Sequence, residues 1–319
     1  MKNVNFIIPY FGKLPALFPI FLKSCEYNYN FNWTLFTDDK TNYSFPKNFQ
    51  VVYTTFENIK KHIQDKFDFN IEIKTPYKFC DLKPMYGYLF PEYNEGYKFW
   101  GYCDIDIVLG NLSNFITEEI LEKYDKIYTL GHMTLIRNTG ELNSKFKDKI
   151  NNVEYYKEVL ANNAPYNFDE DFRGKININT IFRNANKEIF IDDSIADIYT
   201  KGNHFYLDKG DGKTEKNKMD LFIWYKGALF GYQKINNCLI KKEFRYIHLQ
   251  KRAMNIKLND IENTDCIKII PNEISELEIN FKNVEDSYKK IKKYNINLQY
   301  FRIRLNNLKI KLKNIKRKY

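Results

Sequence analysis

Asp104 and Asp106, with the apolar Ile105 between them, are the side chains whose type and spacing point most directly to chemistry in this sequence. They lie within Lys98–Leu112, KFWGYCDIDIVLGNL, which reads as a strand running into two carboxylates. Phe99, Trp100, Tyr102 and Cys103 suit a strand buried on both faces, and charge then appears abruptly at its end. In open α/β sheets, ligands bind just outside the carboxyl ends of the strands. Mg²⁺ and Mn²⁺ prefer carboxylate oxygens and commonly share their coordination with substrate phosphates. An Asp-x-Asp triplet at a strand end is therefore expected to hold a divalent cation against a diphosphate. Such triplets also arise by chance or as caps. The aromatic strand before the triplet and the Gly110-Asn111 turn after it bring the metal reading level with those alternatives.

The elements that must position these acids alternate. Val4–Pro9 reads as a first strand, followed by a turn at Gly12 and a helix that opens near Pro15 and runs to about Tyr27. Trp33–Thr37 and Gln50–Thr54 read as strands and Phe56–Phe67 as a helix, which predicts a mostly parallel sheet flanked by helices. Pro76–Tyr93 reads as a helix leading into the Asp-x-Asp strand, and Asn114–Tyr124 as a helix after it. Lys126–Leu130, Met133–Arg137 and Ile176–Arg183 read as strands, Glu141–Ala161 as a polar helical stretch, and Asp208–Lys218 as a loop. Leu221–Tyr225 and Ala228–Tyr232 suit a hairpin, and Phe244–Leu249 a last strand. Neither G-x-G-x-x-G nor G-x-x-x-x-G-K-[ST] occurs, which disfavours a dinucleotide fold and a P-loop.

The chain has 319 residues, ample for one large α/β domain with appendages. No run approaches ~20 apolar residues, and MKNVNFIIPYFG resembles a strand rather than a signal peptide. Five scattered cysteines without CxxC spacing suit reduced thiols in a cytoplasm. The net charge of +10 is unevenly placed: residues 288–319 hold 12 Lys or Arg and no Asp or Glu, leaving 38 basic against 40 acidic residues in the body. A nearly neutral body argues against nucleic acid as the ligand of the whole fold.

The ordered motifs resemble those of GT-A fold glycosyltransferases, closest to bacterial polysaccharide- or lipooligosaccharide-type transferases. The resemblance covers about residues 1–255. It rests on an IIPYFG start, FTDD around Asp38, CDLKPMYG with Asp81 and Lys83, the Asp-x-Asp strand and a late IHLQKR. It implies a metal (Mn²⁺ or Mg²⁺) on Asp104, Asp106 and His248, with Lys251 and Arg252 on the diphosphate of a nucleotide-sugar donor, UDP-sugar foremost. This sequence has HLQKR where some relatives carry a Gly-containing HxxGxxK-type segment. Pro9, Tyr10 and Asp38 would line the nucleoside, and Asp81 and Lys83 would meet the sugar or phosphates. Asp169, Glu170 and Asp171 are candidate acids on the acceptor side, one of them a base if the reaction inverts. His132 would touch the acceptor, a glycan or glycolipid. Each has a structural alternative: Asp38-Asp39 as a turn cap, Asp81 and Lys83 as a surface pair, Asp169–Asp171 as a solvated loop, and His132 as a structural residue.

The tail carries Ile291, Tyr294, Leu298, Phe301, Leu305, Leu308, Leu312, Ile315 and Tyr319 at spacings of three and four, one apolar stripe on a basic helix. An anionic membrane fits it best, ahead of a coiled coil, nucleic acid or packing on the body. The organisation expected is thus a catalytic domain over 1–255, a connecting segment over 256–287 and a basic amphipathic helix over 288–319. The protein would be a cytoplasmic enzyme at the inner face of the membrane, transferring a hexose to a surface glycan. Two alternatives remain open: a nucleotidyltransferase acting on a sugar phosphate, and a non-catalytic nucleic-acid- or membrane-binding protein using the tail.

Overall fold

A computed structural model describes residues 2–172, 174–200, 202–208, 214–219, 221–236, 238–250, 252–277, 284, 288 and 298–316. In chain order the strands are β1 (Lys2–Pro9), β2 (Phe31–Thr37), β3 (Phe49–Tyr53), β4 (Tyr97–Cys103), β5 (Ile107–Leu109), β6 (Lys126–Leu130), β7 (Met133–Arg137), β8 (Ile189–Phe190) and β9 (Ile195–Ile198). They continue with β10 (Phe205–Asp208), β11 (Thr214–Met219), β12 (Leu221–Tyr225), β13 (Ala228–Ile235), β14 (Cys238–Phe244), β15 (Tyr246–His248), β16 (Asn255–Lys257), β17 (Cys266–Ile270) and β18 (Glu273–Glu276). The protein is thus a mixed α/β chain, and it divides into two units. One comprises residues up to Ile105 and Ile116–Asp192; the other comprises Asp106–Phe115, residues 193–208 and the described residues from Thr214 on. The chain passes from one unit to the other inside the Asp104-Ile105-Asp106 triplet.

The first unit is built on a seven-stranded sheet in the order β3-β2-β1-β4-β7-β6-β8. β1 to β4 are mutually parallel, whereas β7 is antiparallel to both β4 and β6. Parallel pairing puts the carboxyl ends of β1, β2 and β4 on one edge, and with them Tyr10, Asp38 and Asp104. Ile7, Phe36, Trp100, Tyr102 and Ile136 bury one face of this sheet under Ile59, Ile63, Leu82, Met85, Leu89 and Phe182. Gly87 is required there, because a Cβ would fall 2.2 Å from Trp100 Nε1.

Several segments are shorter or different from the sequence expectation. Pro76–Tyr93 breaks into one-turn helical pieces, including Phe79–Leu82 and Tyr86–Leu89, because Pro84 and Pro91 cannot continue a helix. Glu141–Ala161 likewise yields only Gly140–Asn143, a turn at Lys145–Lys147 and Tyr155–Leu160. Ile176–Arg183, expected as a strand, is instead the helix Ile178–Asn184. The Asn177 side chain caps it by accepting from the N–H groups of Asn179 and Thr180, which decides against the β-branched content of the segment.

The second unit holds a five-stranded sheet, β11-β10-β9-β15-β5, and a six-stranded sheet, β14-β13-β12-β17-β18-β16. β12 and β13 form the expected hairpin. Trp224 of β12 donates its indole N–H to the Leu109 carbonyl of β5 at 2.9 Å. Part of Asp208–Lys218, expected as a loop, forms strand β11. Phe244–Leu249 is not the last strand: β16, β17 and β18 occupy the region expected to be a connecting segment. Leu221, Ile223, Tyr232, Ile270, Leu277, Val284 and Tyr288 form a core on this second sheet. The tail is helical over Leu298–Lys316, and Leu298, Phe301, Leu305, Leu308 and Leu312 on it are more than half exposed. Ile291 and Tyr294 lie outside the described residues. Among the described residues no helix is long and apolar enough to cross a membrane.

Candidate metal and acid centre

In the first unit the chemistry gathers around one lysine. Lys83, on the broken helical stretch before β4, donates from Nζ to Asp104 Oδ1 at 2.7 Å and to the Gly131 carbonyl at 2.8 Å. Asp169 Oδ2 lies 3.6 Å from the same ammonium. Burial opposes the charge on Lys83, but Asp104, Cys80 and Asp169 outweigh it and hold the ammonium protonated well above the usual lysine range. Gly131 and His132 form the β6–β7 turn. The Gly131 N–H donates to Glu170 Oε2 at 3.2 Å. A Cβ at Gly131 would meet Asp169 Oδ2 at 2.4 Å, so only glycine lets this acid approach the turn. The His132 carbonyl accepts from the Asp104 N–H at 3.2 Å, which ties the turn to the end of β4. Lys83, Asp104, His132, Asp169 and Glu170, spread over 88 residues of sequence, thus form one neighbourhood.

Asp169 is buried, and burial pushes its carboxyl up to about 7; Lys83 opposes that rise, while Glu170 and Asp104 add to it. A carboxyl of that strength can exchange a proton near neutrality. Asp171, the third acid of the cluster, points elsewhere. Both its oxygens pair with Arg183, at 2.9 and 3.2 Å. Burial works against its ionisation, but hydrogen bonds and charge from Arg183 hold it below the usual carboxylate range.

Asp81 has a different task from the donor contact expected of it. It is almost fully buried; Oδ1 accepts from the N–H groups of Tyr166, Asn167 and Phe168 at 3.1, 2.7 and 3.2 Å. Oδ2 accepts from Lys78 Nζ at 2.9 Å. It anchors the loop that delivers Asp169. Asp38 and Asp39 fasten the loop after β1: Asp38 Oδ1 accepts from Gly12 N–H at 2.7 Å, and Asp39 Oδ2 from Leu14 N–H at 2.9 Å. Gly12 sits at φ +92°, where glycine is the natural occupant. Tyr10 donates its N–H to the Phe36 carbonyl, so Pro9 and Tyr10 lie at the sheet edge beside Asp38.

In the second unit the five-stranded sheet sets His248 between two acids. β15 runs parallel to β9 with His248 opposite Asp197, and antiparallel to β5 with His248 opposite Ile107, the residue after Asp106. His248 Nε2 lies 3.4 Å from Asp106 Oδ1, and Nδ1 lies 2.7 Å from Asp197 Oδ1. The Asp106 carbonyl accepts from Leu249 N–H at 2.8 Å, which holds the two strand ends in step. Burial opposes a charged imidazole, yet Asp197 and Asp106 raise its proton affinity well above the histidine norm. Arg252, expected on a phosphate, uses its terminal nitrogens internally, on the carbonyls of Tyr199 (2.8 Å) and Gly202 (2.9 Å) and on Asn272 Oδ1 (2.6 Å). Lys251 lies outside the described residues.

Two site-supporting residues escaped sequence reasoning. Asp197 sits in the apolar strand Ile195–Ile198 with no motif around it; its one signal is a carboxylate where a core residue belongs. Lys126 is fully buried at the start of β6 and donates to the Tyr128 carbonyl at 2.5 Å and to Asn179 Oδ1 at 2.7 Å. It braces the irregular β6, in which Tyr128 adopts φ +70°, just ahead of Gly131-His132.

No curated protein matches the chain. A family whose description is "family of unknown function (DUF6625)" matches residues 6–278, most of the chain and all of the candidate site residues. On that coverage the chain belongs to the DUF6625 family.

Proposed function

We propose that this protein is a metal-dependent glycosyltransferase with a GT-A-like fold. It would move a hexose-type sugar from a nucleoside-diphosphate donor, a UDP-sugar foremost, to a surface-glycan or lipid-linked acceptor. The observation that carries this reading is the pairing of His248 with Asp106 at the ends of adjacent strands, two residues along the chain from Asp104. Two carboxylates and one imidazole nitrogen are a donor set suited to Mn²⁺ or Mg²⁺. Asp104, Asp106 and His248 would hold the cation, which would supply positive charge to the departing diphosphate.

The chain's own residues do the rest. Lys83 holds Asp104 and Asp169 in fixed orientation. Asp169, with a proton affinity near neutrality, would take the acceptor hydroxyl proton in an inverting transfer; Glu170, which accepts from the Gly131 N–H, follows it in the chain, and His132 sits on the same turn as Gly131. Pro9, Tyr10 and Asp38 at the sheet edge suit a nucleoside. The tail would place the enzyme on the anionic inner face of a membrane: the described helix carries exposed Leu298, Phe301, Leu305, Leu308 and Leu312 among basic residues and no acid.

The test is release of nucleoside diphosphate from a panel of UDP-, GDP- and ADP-hexoses with and without Mn²⁺, each with candidate acceptors. Mn²⁺-dependent release from one donor, lost in Asp106→Ala and in His248→Ala, supports the reading. Release that ignores both substitutions removes it.

A further inference from the structure

The metal reading uses only one edge of His248. The other edge meets a side-chain row that runs across the sheet. Asp197 is the direct partner of His248 across β9–β15, and Tyr206 is the direct partner of Asp197 across β9–β10. Direct cross-strand partners project from the same face, so the three side chains stand side by side. Their polar atoms connect in that order. His248 Nδ1 meets Asp197 Oδ1 at 2.7 Å, Tyr206 donates its hydroxyl to Asp197 Oδ2 at 3.2 Å, and Gln250 Nε2 donates to the Tyr206 oxygen at 3.0 Å. Gln250 adopts φ +48° to make its contact, just beyond the end of β15.

This geometry separates the two acids that flank the histidine. Both Asp197 oxygens are engaged on the side of the ring away from Asp106. The 2.7 Å approach of Asp197 Oδ1 to Nδ1 favours the tautomer protonated at Nδ1 and leaves Nε2 on the Asp106 side. Nε2 and a carboxylate oxygen 3.4 Å apart are both acceptors in that tautomer, so a proton or a cation belongs between them. A ring left to rotate would present Nε2 in the right direction for only part of the time. Its affinity for a cation would fall accordingly.

We propose that Asp197, braced by Tyr206 and Gln250, is the positioning residue that fixes His248 for metal binding. This rests on the reading of His248 as a metal ligand and deepens it. Asp197 touches neither substrate nor cation; it acts through His248.

The experiment is titration of Mn²⁺ alone, followed by electron paramagnetic resonance of the free ion. It uses full-length wild type, His248→Ala, Asp197→Ala, Asp197→Asn, Tyr206→Phe and the double variant Asp197→Ala/His248→Ala. Circular dichroism in EDTA confirms that each is folded. Asp197→Ala should weaken Mn²⁺ binding by about 10- to 100-fold, the range typical for residues that orient a metal ligand. Asp197→Asn, which keeps an oxygen for Nδ1–H, should recover part of that loss, and Tyr206→Phe should show a smaller loss of its own. The double variant should bind no more weakly than His248→Ala, because Asp197 has nothing left to orient. Wild-type affinity in folded Asp197→Ala and Tyr206→Phe would overturn the proposal. So would strictly additive losses, which would make Asp197 an independent ligand. A wild type that binds Mn²⁺ no better than His248→Ala would instead remove the metal reading, and this proposal with it. If Asp197→Ala does not fold, Tyr206→Phe and Asp197→Asn carry the same comparison.

Discussion

Asp81→Asn separates a structural anchor from a ligand contact, because the two roles predict opposite readouts. The substitution keeps one acceptor oxygen of nearly the same shape, and that oxygen can still take the N–H groups of Tyr166, Asn167 and Phe168. What it removes is the negative charge facing Lys78, whose side chain is 1% exposed against 2% for Asp81. Among the described residues Lys78 then keeps the Ala164 carbonyl, at 3.2 Å, as its hydrogen-bond acceptor. Leaving one charge of a buried pair uncompensated costs about 3–5 kcal/mol. That is a large fraction of the roughly 5–15 kcal/mol that holds an ordinary domain folded. Urea unfolding followed by tryptophan fluorescence should show that loss. The double variant Lys78→Met/Asp81→Asn should be more stable than Asp81→Asn alone, since it no longer buries a lone ammonium, and a double-mutant cycle should give a coupling of at least about 2 kcal/mol. Nucleotide affinity in the folded variant should change little. Wild-type stability combined with lost nucleotide binding would refute the anchor argument and restore Asp81 to the ligand.

Other outcomes follow from single residues. Burial pushes the Lys126 ammonium down to about 7, below its unfolded value, so between pH 7 and about 10 the unfolded chain binds more protons and stability rises with pH. Measured from pH 6 to 10, the stability of wild type relative to Lys126→Met should climb by several kcal/mol; parallel curves would contradict it. If Asp169 is the base, kcat/KM should fall as pH drops through about 7, where its carboxyl takes up a proton, and Asp169→Asn should lose both the activity and that limb. Vesicles of phosphatidylcholine and phosphatidylglycerol, whose anionic surface attracts each nearby Lys or Arg by about 1 kcal/mol, should sediment the protein at low salt. Leu305→Glu/Leu308→Glu should release it, and retention by neutral vesicles alone would contradict the membrane reading.

The parts of the fold legible in the sequence were those set by local pattern. β1 to β4 showed themselves through apolar runs ending in turn residues and acids, and the Asp-x-Asp end of β4 marked the edge at which the parallel sheet gathers its loops. Helix Ile178–Asn184 was misread because INTIF is rich in β-branched residues, while the cap that decides it is one asparagine. β16 to β18 escape the sequence pattern because each is only three to five residues long and each carries a charged residue in place of a clean apolar run.

The site followed the same rule. Asp104, Asp106 and His248 stood at strand ends and could be picked out individually. Asp197 could not, because nothing in Ile195–Ile198 says that β9 will lie beside β15; strand register is a long-range property of the sheet. Asp81 reads as a ligand residue because a carboxylate near Lys83 looks the same in sequence whether its partners are sugar hydroxyls or three backbone N–H groups of a loop 85 residues away.

The proposed transferase requires a cation-dependent nucleotide site on Asp104 and Asp106. Its most direct test is calorimetric titration of UDP into the full-length protein, with Mn²⁺ and with EDTA, for wild type, Asp104→Ala and Asp106→Ala. UDP binding should require Mn²⁺ and disappear in both variants. UDP binding of equal strength in EDTA, or in either variant, would contradict it.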